Sequence, residues 1–422
     1  MPKGGGFWRK LFAFMGPGLL VAVGYIDPGN WATDIAAGAR YGYALLVVVL
    51  LANFTAILFQ YLSLKLGIAS GRDLAQACRD HYSKPVVVFL WVLCEIAIIA
   101  CDLAEVIGSA IALNLLFGMP LLVGVVITSL DVLVILAVQQ KGFRYLEAVV
   151  AGLMFVIGAA FVYEIMAAHP SWMGVAAGFI PSPRIVVDPG MLYVSIGIIG
   201  ATVMPHNLYL HSSIVQTRAF ARDDAGKSMA VKFATIDVVT ALTVAFFINA
   251  AILVLSAAAF HGTGNQNVAD INDAYHLLTP ILGASLASMV FAIALLASGQ
   301  SSTLTGTLAG QIVMEGFLDI RIRPWVRRII TRGLAIVPAV GVAIWVGAKG
   351  LGQLLVLTQV ILSFQLAFAV VPLVIFTSDK ALMGRFVNRV WLKVGAWGAA
   401  VMVIGLNIFL IGQVMALCIK KS

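Results

Sequence analysis

The sequence predicts an all-α polytopic membrane protein of eleven transmembrane helices, built as two inverted repeats of five with the first helix of each repeat broken. Three observations carry that expectation. Of 422 residues, 61% are hydrophobic and only 11% charged, with a mean hydropathy of +1.01, so lipid rather than water is the solvent for most of the chain. Eleven stretches reach the roughly 20 mostly apolar residues that a spanning helix needs. Two of them, the first and the sixth, carry a Pro among polar residues at a depth where intact helix is otherwise expected: Asp27-Pro28-Gly29-Asn30 and Met204-Pro205-His206-Asn207.

The expected spans of the first half are 14–38, 44–68, 86–116, 120–138 and 145–168. Those of the second half are 190–216, 233–259, 283–317, 329–348 and 351–377, with 393–417 as an appended helix. The chain 1–422 is expected to be one transport domain, with the first repeat at about 14–168 and the second at about 190–377. Pro28 and Pro205 each remove a helix donor and clash with the preceding turn. Unwound backbone at membrane depth survives only where it lines a cavity or is buried in protein. An odd number of spans separates the two breaks, so the second set of five enters the membrane from the opposite side. Interrupted segments in corresponding positions of inverted halves point to a secondary-transporter site. The plainer reading of Asp27–Asn30 as a turn between two interfacial helices leaves the matching break unexplained.

A net charge of +8 raises the question of a nucleic-acid partner, which the placement of the 27 Lys and Arg residues answers. Lys3, Arg9 and Lys10 precede the first span, and alternate loops carry Lys65, Arg72, Arg79 and Lys84, then Lys141 and Arg144, then Arg218, Arg222, Lys227 and Lys232. Arg321, Arg323, Arg327, Arg328 and Arg332 follow span eight, and Lys380, Arg385, Arg389 and Lys393 follow span ten. The other side receives only Arg40, Arg184, Lys349, Lys420 and Lys421. The positive-inside rule therefore places the N-terminus in the cytoplasm and the C-terminus outside, and no nucleic acid is expected as a partner. Residues 1–24 begin like a signal peptide, but Gly16-Pro17-Gly18 interrupts the run, no convincing small-residue cleavage site follows, and the segment feeds straight into Asp27. Cys94 and Cys101, seven apart on one expected helix, lie about 10 Å apart along its axis, too far to bridge.

Within the first break Asp27 offers a carboxylate and Asn30 an amide oxygen, and residues three apart share one side of a turn. The second break offers the thioether of Met204 and carbonyls, such as that of Ala201, that lose their helix partner before Pro205. Hard Mg²⁺ and Ca²⁺ take oxygen, whereas a sulfur donor favours softer first-row transition ions. By itself Met204 reads first as an apolar gap-filler, and its place beside the break is what raises the ligand reading. An organic carboxylate is the competing cargo, since half-helix N-termini receive such groups in related architectures, but Asp27 repels an anion and attracts a cation.

Span three carries Glu95, Asp102 and Glu105; Glu95 and Asp102 lie within about 20° of each other around the helix and Glu105 about 60° away. Ionisable groups at that depth face a cavity or a proton route, or form a structural ion pair, for which Arg327 and Arg328 are the expected partners. His206 adjoins Met204 and titrates near neutrality when unperturbed; His211 is a second candidate. Asn249 is expected to pair with broken backbone and Glu315 with nearby arginines. His261, Asp270, Asp273 and His276 read as a solvated acidic loop before they read as a metal antenna, and Asp131 has no account. A membrane-embedded enzyme needs a nucleophile with its base or a multi-histidine set such as His-Glu-x-x-His, and neither occurs. A channel repeats its filter by symmetry, while the two breaks differ in chemistry, so a carrier and not an enzyme is expected.

These residues carry a resemblance. Asp27-Pro28-Gly29-Asn30, Gly200-Ala201-Thr202-Val203-Met204-Pro205-His206-Asn207 running on to Tyr209-Leu210-His211-Ser212, Gly67-Ile68-Ala69-Ser70-Gly71-Arg72 and Asp102-Leu103-Ala104-Glu105 resemble the natural resistance-associated macrophage protein (Nramp) family over nearly the whole chain. The resemblance implies a LeuT-like fold in a bacterial inner membrane and proton-coupled import of Mn²⁺ or Fe²⁺, with Cd²⁺ and Co²⁺ tolerated. It implies metal held by Asp27, Asn30, Met204 and the Ala201 carbonyl, with Gln359 approaching in some conformations. Protons are implied to travel through Glu95, Asp102, Glu105, His206 and the Arg327-Arg328 pair, with His211 nearby. Branches that carry Mg²⁺ or Al³⁺ replace the methionine, which is present here. No resident cofactor is implied; the expected partners are divalent transition-metal ions, protons and the bilayer, with the chain acting as a monomer.

Overall fold

A computed structural model describes residues 6–129, 142–261, 271–282, 286–345 and 348–421, and among them every regular element is helical. In chain order the elements are α1 (Phe7–Phe14), α2 (Pro17–Gly24), α3 (Pro28–Tyr41), α4 (Leu46–Ser70), α5 (Leu74–His81), α6 (Lys84–Phe117) and α7 (Leu121–Ser129). Next come α8 (Phe143–Ala168), α9 (Trp172–Ala177), α10 (Arg184–Val187), α11 (Pro189–Thr202), α12 (Pro205–Ile214), α13 (Asp224–Phe260) and α14 (Ile271–Leu282). The last five are α15 (Ala287–Leu318), α16 (Pro324–Trp345), α17 (Ala348–Ser378), α18 (Lys380–Met383) and α19 (Val390–Lys421).

Both expected breaks are present. Pro28 and Pro205 open α3 and α12 at the first helical position, where a missing N–H costs nothing and the fixed φ suits a helix start. The chain leaves helical geometry at Tyr25–Asp27 and again at Val203–Met204. Eight stretches among the described residues are long and apolar enough to cross a membrane, and α1 with α2, bent by 48°, makes a ninth. One of the eight runs from Pro28 to Ser70 and contains α3 and α4 joined by a 3-10 turn over Gly42–Leu45, where the φ of 60° at Gly42 suits a residue without Cβ. Two expected spans differ. Span four is represented by α7, the rest of 120–138 and Asp131 lying outside the described residues. Span nine is α16, which starts at Pro324, ahead of the expected 329, so that Arg327 and Arg332 both belong to the helix itself.

The sixth span is the most enclosed, with 94% of its apolar window buried in protein, against 28% for the window in α19. Packing explains this: α11 lies against α17 and α3, α12 against α4 and α15, and α3 against α13, α6 and α17. The two broken helices are therefore ringed by intact ones, and α19 is a peripheral addition on α17. Phe54, Phe155, Phe247, Trp345 and Trp391 are exposed, as lipid-facing side chains are. Cys78, Cys94 and Cys101 are free and buried.

Candidate metal site and its ionisable surroundings

Asp27 is the N-cap of α3: its Oδ1 accepts from Asn30 N and from Asn30 Nδ2, both at 2.8 Å. The same Nδ2 donates to the carbonyl of Ala201 at 3.1 Å, so Asn30 ties the first break to the second. The other carbonyls freed at the first break are also taken up. Tyr25 O accepts from Asn249 Nδ2 at 2.8 Å, as expected for Asn249, and Ile26 O accepts from Ser298 Oγ and from Trp31 Nε1. Such satisfaction is what keeps irregular backbone viable at this depth.

Met204 stands between α11 and α12, three residues beyond Ala201, with its sulfur 3.6 Å from Asn207 Nδ2. Gln359 of α17 closes over the first break: a Cβ on Gly29 would fall 1.8 Å from Gln359 Nε2, and one on Gly200 would fall 2.0 Å from Gln359 O. Glycine at both positions is what lets α17 approach both breaks. Asp27, Asn30, Ala201, Met204 and Gln359 are all buried to within 1%, yet Asp27 Oδ2 and Gln359 Oε1 have no hydrogen-bond partner. Leaving a buried acceptor unmet is costly, and both atoms belong to the residues expected at the metal site. Among the described residues no three His, Cys, Asp or Glu side chains gather as a metal centre; the set is mixed.

The ionisable groups of α6 pair with α16, with one reassignment. Arg327 Nη2 donates to both carboxylate oxygens of Glu95, at 2.9 and 2.8 Å. Glu105, however, pairs with Arg332, 3.5 Å away, and accepts from Thr303 Oγ1 at 2.9 Å. Arg332 also donates to Asp102 O and Thr303 Oγ1. Arg332 was expected only as a cytoplasmic anchor, although it lies inside the expected ninth span; the side chain of Arg328 lies outside those described. His206 is buried beside Met204 with no partner on Nδ1. His211 belongs to a separate chain of contacts, with Nδ1 2.8 Å from Gln60 Oε1 and Gln60 Nε2 donating to Tyr25 Oη at 2.7 Å.

Two peripheral expectations change. The Glu315 carboxylate accepts from Gln311 rather than from an arginine, and Arg79 reaches only its backbone carbonyl. His261 sits against the end of α3, 3.1 Å from Ala39 O, and His276 stacks edge-on with Tyr275. Asp270 lies outside the described residues.

The cluster is closed from two sides. Towards α1, Asp237 Oδ2 accepts from Gly16 N at 3.1 Å and Gly18 N at 2.8 Å. Arg218 and Arg144 both donate to Met15 O, at 3.0 and 2.9 Å, and both pair with Glu147. None of Asp237, Glu147 or Arg218 was singled out in the sequence as a site residue, since nothing local marks partners 71 to 221 residues apart. Towards α10, Thr33, Gly197, Val356 and Val360 lie in one layer, beyond which a cavity of about 280 Å³ is lined by Arg40, Tyr193 and Gln353.

Comparison with known proteins gives consistent matches. A family model described as natural resistance-associated macrophage protein-like matches residues 18–413. The chain is 61% identical over 411 residues to a divalent metal cation transporter MntH of Listeria monocytogenes, covering 97% of this chain and 92% of that one. It is 60% identical to the Nostoc protein of the same name, covering 98% and 93%. Among solved structures, the Eremococcus coleocola manganese transporter superposes with a TM-score of 0.90 at 41% identity, covering 98% of this chain and 89% of that one. At 17% identity, Mhp1, a nucleobase-cation-symport-1 family transporter, still matches with a TM-score of 0.60 over 95% of this chain and 90% of its own. That likeness concerns the fold alone, which is LeuT-like.

Proposed function

The chain belongs to the Nramp family, and on that premise we propose that it imports divalent transition metals, Mn²⁺ or Fe²⁺ first and Cd²⁺ and Co²⁺ with them, together with protons. The observation that carries the reading is the joint across the two breaks, where Asn30 holds Asp27 and the Ala201 carbonyl together beside the sulfur of Met204. One carboxylate, two kinds of neutral oxygen and a thioether suit a soft divalent ion better than Mg²⁺ or Ca²⁺. The names of the relatives agree with a divalent metal, manganese among them.

The hydrogen bonds of Asn30 suggest how metal enters. Asn30 Nδ2 donates simultaneously to Asp27 Oδ1 and Ala201 O, the place a cation would bridge. Metal binding then requires the Asn30 amide to turn over and present Oδ1, which now lies 3.4 Å from Asn249 Nδ2. Water is given up to Asp27, Asn30, Ala201, Met204 and, on closure, Gln359. Release follows when α2–α3 and α11–α12 rearrange against the remaining helices, so that access alternates between the two sides of an inner membrane. With the N-terminus in the cytoplasm, the contacts at Met15–Gly18 form the inner closure and the Thr33–Val360 layer the outer one. A proton displaced by the metal leaves by way of His206, Asp102 and Glu105, with Arg332 and the Glu95–Arg327 pair balancing charge. His211, tied to Gln60, supports the break at Tyr25. The membrane potential contributes about 2.3 kcal/mol per charge per 100 mV.

The deciding experiment is uptake of Mn²⁺, Fe²⁺, Cd²⁺, Mg²⁺ and Ca²⁺ into proteoliposomes while internal pH is followed. Saturable Mn²⁺ uptake with internal acidification is expected. Competition by Mg²⁺ or Ca²⁺ as strong as that by Cd²⁺ refutes the assigned cargo. Uptake without acidification refutes the proton half.

A further inference from the structure

We propose that the trench between α8 and α13 binds an anionic phospholipid of the cytoplasmic leaflet, with an acyl chain along α2 and the phosphate at Arg144. The trench has a volume of about 850 Å³, is lined by Met154, Phe155, Phe161, Val244 and Phe247 with Leu19 of α2, and presents no charged side chain. It faces the lipid side, Phe155 being 77% exposed and Phe247 65%. A second cavity of about 370 Å³ shares Leu19, Met154 and Val244 and ends at Phe12 and Arg144. A long apolar trench that runs into a charged pocket has the shape and polarity of one lipid chain and its headgroup.

The charged end favours an anion. Glu147 is shared between Arg144 and Arg218, and Asp237 is committed to the Gly16 and Gly18 amides. These two acids and two arginines cancel, and Arg9 follows as a further basic group three residues before Phe12 on α1. Arg218 is 9% exposed, whereas Arg144 is 56% exposed, so Arg144 is the group a phosphate meets. A phosphate beside juxtamembrane basic residues is a favourable pairing. Above this pocket α1 turns Trp8 and Phe12 outward, 68% and 63% exposed, as an interfacial helix with an aromatic face does.

The site is joined to the inner closure. Arg144 donates to Ala13 O and Met15 O at the α1–α2 junction. A phosphate competes for those donors and frees α2, so anionic lipid accelerates transport. This consequence rests on the proposed transport cycle, whereas lipid binding itself does not.

The test uses the full chain in phosphatidylcholine vesicles, with and without phosphatidylglycerol, and phosphatidylglycerol or phosphatidylcholine bearing a photoactivatable acyl chain. Labelling is expected on α8 and α13 peptides around Phe155 and Val244. A Cβ on Gly158 meets only Ile248 Cδ1 at 4.0 Å, so Gly158→Ala should retain labelling while Gly158→Trp, and independently Ala159→Trp, block it. Arg144→Gln should reduce the preference for the anionic lipid about fivefold, and Mn²⁺ uptake by the unmodified chain should rise severalfold with phosphatidylglycerol. Labelling that survives both tryptophan variants, or that is equal for the two lipids, overturns the site. Uptake that falls or stays constant overturns its coupling to α2. A chain inactive in every lipid overturns the transport reading, and the labelling still decides the lipid site.

Discussion

At the scale of residues, the polar side chains buried at the breaks were legible and the ion pairs around them were not. Asp27, Asn30 and Met204 stand beside prolines in apolar runs, so their depth follows from local pattern alone. Arg332, Arg218, Asp237 and Glu147 acquire their roles from partners far away in sequence, and a basic residue near a helix end reads first as a topology signal. Two outcomes follow from single side chains. Met204→Ala should lower the preference for Cd²⁺ and Mn²⁺ over Ca²⁺ about tenfold, the equivalent of roughly 1.4 kcal/mol, in competition uptake assays; unaltered discrimination would remove Met204 as its source. Gly310→Ala puts a methyl 1.7 Å from Arg327 Nη1 and should push the guanidinium off Glu95. Breaking a buried pair typically costs 3–5 kcal/mol, here about 3 kcal/mol because Glu95 keeps partial exposure. A melting temperature equal to that of the unmodified chain would show that α16 shifts without loss.

At the scale of elements, the breaks and most spans were readable because each is a local event, a proline or an apolar run. The short α5 was not expected, since its eight residues are too few and too polar for a span. Its start is nonetheless well defined: Asp73 Oδ1 accepts from Gln76 N at 2.8 Å and Gln76 Oε1 accepts from Asp73 N at 3.2 Å, a reciprocal cap. Leu74 N donates to Ser212 Oγ of α12 at 3.0 Å, and Gly316 of α15 admits Ala75 so closely that a Cβ there would lie 2.5 Å from it. The element thus joins a broken helix to an intact one. Burial raises the Asp73 carboxyl to about 6, although backbone donors at Gln76 and Ala75 pull it down. Its folded-state value lies above the unfolded 3.8, so its contribution to stability is full below that value and is lost as pH rises through about 6. Thermal melts of the unmodified chain should fall across that interval. Asp73→Asn, which keeps an acceptor, should flatten the dependence, and Asp73→Ala should flatten it too while losing the cap, a cost of about 1 kcal/mol. A slope that persists in Asp73→Asn assigns the titration elsewhere.

At the scale of the whole molecule, inverted repeats and a central broken pair followed from counting spans, but closure on both sides did not, because it depends on how separate helices meet. The closure near α1 is the more polar of the two. Two backbone amides of the α2 start rest on Asp237, and Met15 O receives two arginines that converge on Glu147. The closure near α10 rests instead on close apolar packing at Gly197. If α2 must swing away for release, its amides are protected by the charged contacts and not by helix propensity, which is low for eight residues that include two glycines. Glu147→Gln removes the anion shared by Arg144 and Arg218 and leaves Arg218 largely buried with no full counter-charge. Breaking a buried pair in this way costs several kcal/mol, and hydrogen exchange reports the free energy of local opening. Exchange of the α2 amides, followed by mass spectrometry in nanodiscs, should therefore quicken about a hundredfold, the factor that corresponds to roughly 2.7 kcal/mol. The α19 amides, which have no part in the closure, should keep their rate. Equal acceleration in both would mean that the substitution loosens the fold as a whole. An unchanged α2 would place the inner closure in the Asp237 contacts alone, and with it the point at which α2 is released.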